Sequence, residues 1–237
     1  MQIVDAPLRS PGGARDLSFR RRCPGPEDVL VDWFLGQELL RVPRGHRITV
    51  FREPRLPSGF PDLVVVIWSE AVAMEWTPAR ASLLPSDLRL MQLLTSSGPQ
   101  TSAAIRTLFP DHGRVLARLL EAGMIRTSLE RWEAESLDTV FAATQIIAIE
   151  AKVKEWRSAL DQAHLNTWFA SLSCVLVPRV PRNSTLLQDA RELGVTVFAQ
   201  EQMSCAVNMP AEVAPRSYIS WLFNDWAWRA ARQEQIR

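Results

Sequence analysis

Between Leu63 and Trp68 the chain sets six apolar residues in a row, and Ile146 to Ile149 form a second, shorter run. Uninterrupted runs of this length predict strands covered on both faces. Each run is bounded by a carboxylate: Pro61-Asp62 opens the first, and Glu150-Ala151-Lys152 closes the second. "HRITVFREP" (46–54) alternates apolar and polar positions, the pattern of a half-buried strand. "LSCVLVP" (172–178) and "VTVFAQ" (195–200) predict two more strands. Between Glu27 and Leu40, residues Val29, Leu30, Trp33, Phe34 and Leu40 recur at helical spacing, and helices are expected again over 155–171, 184–194 and 216–235. The stretch 84–135 is helical in period but broken at "SSGPQ" and "FPDHG". It predicts helices over 86–94, 101–108 and 111–122, with Ser86, Thr101 and Asp111 as N-caps, Gly123 as a stop, and then a short strand pair. Residues 1–26, with their Pro, Gly and Arg, predict a loosely held leader; its "RRRC" near 20–23 reads as a solvated basic tail or a phosphate contact.

The order of elements gives an α/β chain: a mixed sheet flanked by helices, interrupted by a helical unit. The expected divisions are a leader (1–26), a first sheet-bearing part (27–83), an insert (84–135) and a second sheet-bearing part (136–237) closed by a Trp-rich helix. Composition narrows the function. With 47% hydrophobic and 22% charged residues the chain reads as globular, and no stretch approaches the ~20 apolar residues of a membrane span. The start lacks a secretory pattern, and Cys23, Cys174 and Cys205 are scattered, so no disulfide framework or zinc site is expected and the setting reads as cytoplasmic. Only three histidines are present, which weakens His-based metal or hydrolase chemistry, and the net charge of +1 makes any basic surface local.

Side chains alternate along a strand, so Glu150 and Lys152 share one face. Two charges at the end of an apolar strand are costly to bury without partners. Asp62 would be that partner if the two runs are neighbours. Asp62 and Glu150, with the Ala151 carbonyl, would then suit Mg²⁺ (or Mn²⁺), which takes few carboxylates and keeps several waters. Lys152 would stand beside a metal-bound water. Asp62, then Glu150-Ala151-Lys152, then a helix with Gln162 and a further strand resembles the PD-(D/E)xK, restriction-endonuclease-like nucleases over roughly 27–68 and 145–205. That resemblance implies metal-dependent phosphodiester hydrolysis, with Asp62 and Glu150 as ligands, Lys152 as the catalytic lysine and Gln162 near the site. A further acid is expected from Glu53 first and Glu38 second. The bland alternative is a surface Glu–Lys pair with Asp62 as a turn residue.

The insert resembles a winged helix-turn-helix, with 111–122 as the groove-entering helix and 125–134 as the wing. From Asp87 to Arg131 six Arg stand against two Asp and two Glu. Arg114 and Arg118, four apart, are the expected DNA contacts, flanked by Arg106, Ser102 and Thr101. Such modules also serve as protein-binding or dimer units. Nine Trp are present, and Ile219, Leu222, Phe223 and Trp226 form a stripe expected to pack over the sheet or on a second subunit. The function expected is a metal-dependent DNA endonuclease, with homodimerisation possible for double-strand cutting. The alternatives are a non-catalytic DNA-binding regulator and a nuclease directed at RNA or junctions.

Overall fold

The structure, a computed structural model, describes residues 1–5, 17–21, 24–37, 42–182, 184–202 and 214–235. Two compact units emerge, and the chain passes from the first to the second after Ile67 and back before Thr144.

The first unit is built on a six-stranded mixed sheet. Its elements are β1 (Gln2–Val4), α1 (Pro26–Gly36), β2 (His46–Arg52), β3 (Leu63–Ser69), β7 (Ala143–Ala151), α7 (Trp156–Asn166), β8 (Leu172–Val177), α8 (Leu186–Glu192) and β9 (Thr196–Ala199). The strand order is β1-β2-β3-β7-β8-β9. β1 runs parallel to β2, and β7, β8 and β9 are parallel to one another. β3 opposes β7, because the Ala151 N–H reaches the Asp62 side chain at one end and the Thr144 hydroxyl reaches the Ile67 carbonyl at the other.

One face of this sheet buries Val50, Leu63, Val65, Ile67, Ile147, Ile149 and Leu176 against Leu30, Val31 and Phe34 of α1. Pro26 at the first helical turn presets the backbone that starts α1. Arg52 of β2 then ties the helix down through Asp28 (2.8 Å) and Asp32 (2.7 Å). On the other face, Ala159, Leu160 and Ala163 of α7 and Leu186 and Ala190 of α8 pack on Val175, Val177 and Ala199. The even-numbered positions of β3 and β7, Glu150 included, therefore point to the side that α7 occupies, and Asp62 immediately precedes β3.

The second unit contains α2 (Glu70–Met74), a 3-10 turn (Pro78–Ser82), α3 (Pro85–Ser97), β4 (Gln100–Thr101), α4 (Ser102–Leu108), α5 (His112–Glu121), β5 (Ile125–Ser128), β6 (Arg131–Ala134), α6 (Leu137–Val140) and α9 (Tyr218–Gln235). Its small sheet has the order β4-β6-β5. Thr101 caps α4 as expected, accepting from the Ala104 N–H. Gly123, at φ +67°, ends α5: its N–H bonds the Leu120 carbonyl, and that of Met124 bonds Leu119, the paired bonds of a Schellman stop. Asp111 stands at the N-cap of α5 without a side-chain capping bond. Ser86 does not cap α3; that helix begins one residue earlier, and Asp87 accepts from the Leu84 N–H instead.

Several expectations change. β2 is not half-buried: Ile48, Thr49, Val50 and Phe51 are all buried. The leader is not loose where it is described, since Gln2–Val4 adds an edge strand and Ser18 to Arg20 bond main chain to main chain with Glu53 and Arg55. The closing helix α9 groups with the helical unit, packing on α3, rather than with the sheet. Its Trp221 and Trp228 are buried, with Trp221 edge-on to Phe141 and Trp228 edge-on to Trp76.

Candidate active site

Asp62 and the Glu150–Lys152 corner, far apart in sequence, meet at one end of the β3–β7 pair. The hydrophobic runs bring them there: each strand is continuous in apolar residues, and each places its acid at the edge of the buried stretch. Asp62 Oδ2 accepts the Ala151 N–H at 2.6 Å across 89 positions of chain. Glu150 is 4% exposed, and its Oε1 accepts from Asn166 Nδ2 at 2.7 Å. Lys152 reaches Glu27 Oε1 at 3.2 Å, and its main-chain N–H bonds the Leu176 carbonyl.

The electrostatics follow from burial. Asp62 is pushed up to about 6, chiefly by removal from water, against the lowering effect of the Ala151 bond and of Lys152. Glu150 is pushed up to about 8, first by burial and next by the charge of Asp62; the Asn166 amide and Lys152 act the other way. The charge of Asp62 thus makes Glu150 harder to ionise. A divalent cation between them would reverse that, and the donors are hard carboxylate oxygens, the chemistry Mg²⁺ and Mn²⁺ prefer. Among the described residues no group of three or more His, Cys, Asp and Glu side chains gathers at ion-holding distance, so an ion at Asp62 and Glu150 would be held by a set of two carboxylates. Such a set fits a cation that retains most of its water.

Glu53 stands close enough for its charge to raise both acids. Its backbone is left-handed (φ +47°), its N–H bonds the Asp62 carbonyl at 3.0 Å, and Arg20 Nε approaches its carboxylate at 3.6 Å. Glu38 lies outside the described residues. Gln162 is exposed on α7. The α7 side chain that meets Glu150 is Asn166, one turn further on and 3% exposed. Periodicity shows that both face the same side of α7, but not which of them the strand reaches. Glu27, at the first turn of α1, was also missed; its signal was a carboxylate beside a helix-starting proline, common at any helix N-terminus.

The expected DNA contacts divide. Arg114 and Arg106 are exposed. Arg118 is not available in the way its spacing suggested: its Nε and Nη2 clamp Asp87 at 2.8 and 2.6 Å, and Asp87 is fully buried. Ser102 accepts from Trp132 Nε1 at 2.9 Å, and Thr101 is engaged as the α4 cap. On β5, Arg126 pairs with Glu133 of β6 and with Glu135.

No protein-family model, curated protein or solved structure matches this chain.

Proposed function

We propose that the protein is a metal-dependent DNA endonuclease of PD-(D/E)xK type that engages its target through a winged-helix module. The observation that carries this reading is the 2.6 Å bond from the Ala151 N–H to Asp62, which joins the two halves of the motif at one strand end with Lys152 beside them. Two acids and a lysine converging from neighbouring buried strands, with a helix and a parallel strand following, support the reading the sequence resemblance suggests. The helical unit supports the second half of the reading. Its run α3, β4, α4, α5, β5, β6, with the small sheet ordered β4-β6-β5, suits a winged helix-turn-helix in which α5 enters the groove and β5–β6 form the wing.

In this reading Asp62 and Glu150 hold Mg²⁺ or Mn²⁺, and Asn166 fixes the Glu150 carboxylate so that one oxygen stays oriented. A bound ion supplies a more acidic water and positive charge at the phosphate. Lys152 directs its ammonium to the scissile phosphate and offsets the negative charge that grows during water attack. Its partner Glu27 restrains it until substrate arrives. Glu53 adds negative charge to the cation site. Arg114 and Arg106, exposed on α5 and α4, meet the phosphate backbone.

The test incubates the protein with plasmid, linear duplex, single-stranded DNA and RNA, each with Mg²⁺, Mn²⁺ or EDTA. Cleavage of DNA that needs metal and disappears in Asp62→Ala, Glu150→Ala and Lys152→Ala supports the nuclease. Tight DNA binding without cleavage in any condition sinks it in favour of a regulator, and cleavage confined to RNA redirects it.

A further inference from the structure

The second unit carries an open cleft of about 560 Å³ that the nuclease reading does not use. It lies between the start of α3 and the turn joining α4 to α5. Its walls are apolar, with Leu108, Phe109 and Val115 prominent, and Leu108 is 61% exposed. Three guanidinium groups line it, those of Arg89, Arg114 and Arg118, together with the carboxylate of Asp111.

These cations are not equivalent. Arg118 is neutralised by Asp87 and held in one orientation by that two-point clamp. Arg89 rests over the Tyr218 ring, 4.7 Å from its centroid, and so keeps its charge while its stem is steadied. Arg114 is exposed and, among the described residues, makes no ion pair. With Arg118 balanced by Asp87, the other charged residues lining the cleft are Arg89, Arg114 and Asp111, a surplus of one positive charge. The cleft therefore combines apolar walls with room for one monoanion.

We propose that this cleft binds a small carboxylate with an apolar body, the acid group held by the Arg114 fork and the body laid against Leu108, Phe109 and Val115. A planar guanidinium suits a carboxylate in paired hydrogen bonds, and the volume lies in the range of small-molecule sites. A nucleotide fits less well. Its base edges need several neutral donors and acceptors, whereas the cleft's polar groups are mostly guanidinium. Because Arg114 is also the exposed arginine of α5, an occupied cleft withdraws it from DNA. Only this last consequence rests on the reading of α5 as the DNA-facing helix.

The experiment titrates the full chain with 3-phenylpropionate, 4-methylpentanoate and octanoate by ligand-detected NMR and calorimetry, beside 3-phenylpropionamide as the uncharged control. Saturable binding with Kd of about 0.1–1 mM is expected for at least one acid. The amide should bind at least about tenfold more weakly, since a charge-assisted hydrogen bond is lost. Arg114→Ala should weaken binding by a similar factor, Arg114→Lys by less. Leu108→Asp alters an exposed side chain, so the fold should persist while binding is lost. No saturation by any acid up to about 10 mM, equal binding of acid and amide, or unchanged affinity in both Arg114→Ala and Leu108→Asp overturns the site. DNA binding is measured separately by fluorescence anisotropy. Wild type that binds an acid but no DNA leaves the cleft standing and removes the DNA-reading role. Wild type that binds both without competition removes the link between them.

Discussion

Asp87 in the helical unit and Glu150 in the sheet-bearing unit are both buried carboxylates, and they are treated in opposite ways. Asp87 meets a guanidinium through two short bonds and also accepts a main-chain N–H. Asp225 of α9 is likewise met by a cation, Arg80, at 2.8 Å. Glu150 has one neutral amide, an acid for a near neighbour, and a lysine whose ammonium lies 3.2 Å from Glu27. A carboxylate that serves the fold is supplied with its counter-charge by the chain itself. Glu150, at the end of its strand, makes no ion pair among the described residues and is met only by a neutral amide.

The sharpest way to break this contrast is to remove each buried charge or its partner. Glu150→Gln keeps the bond to Asn166 and deletes the charge. The Glu150 pKa is raised on folding, so the folded chain holds a proton there that the unfolded chain releases. That stabilisation is complete below about pH 4.5 and is lost as pH rises through about 8; Asp62 adds the same trend between 3.8 and about 6. In EDTA, wild-type stability should thus fall from pH 4 towards pH 8. The glutamine variant should flatten the curve and gain up to about 4 kcal/mol at the upper end by urea titration. Cleavage should be abolished with it. A variant less stable than wild type at pH 8 would mean that Glu150 is a fold-serving acid like Asp87.

Arg118→Ala is the converse change. It leaves Asp87 buried without its cation and should cost about 3 kcal/mol, read as a lower urea midpoint. Loss of DNA binding by a folded Arg118→Ala protein, with stability intact, would reassign the arginine to recognition. Asn166→Ala should cost about 1–2 kcal/mol and weaken Mn²⁺ binding measured by electron paramagnetic resonance, with recovery in Asn166→Gln only if reach and not mere polarity is tolerated. The smallest pair concerns left-handed backbone. Leu129 (φ +49°, 94% exposed) sits in the turn between β5 and β6 and Glu53 (φ +47°) at the candidate site. Glycine at either position should gain about 1 kcal/mol. Only Glu53→Gly should also ease ionisation of Asp62 and Glu150, by removing a like charge. Equal pH profiles for the two variants would place Glu53 outside the site.

What the chain announced in advance follows from how local each signal is. The strands carrying Asp62 and Glu150 were legible because continuous apolar runs admit few other fates, and the Thr101 cap and Gly123 stop because both act within a few residues. Arg118 misled because its partner lies 31 positions away, and a helical face looks the same whether it meets solvent or a buried acid. Asn166 was passed over for Gln162 because a helix repeat fixes a side, not a height. The three-residue β1 is too short to show a pattern, and the assignment of α9 to the helical unit depends on packing with α3 that no local spacing encodes.

The Ser69 N–H donates to the Ala142 carbonyl at 2.8 Å, which ties the end of β3 to the residue that precedes β7. Replacing 70–141 with a tight reverse turn would leave both flanking strands in register. The C-terminal helix complicates such pruning: stripped of α3, its tryptophans would face water, so a trimmed derivative must shed residues 214–237 in the same cut.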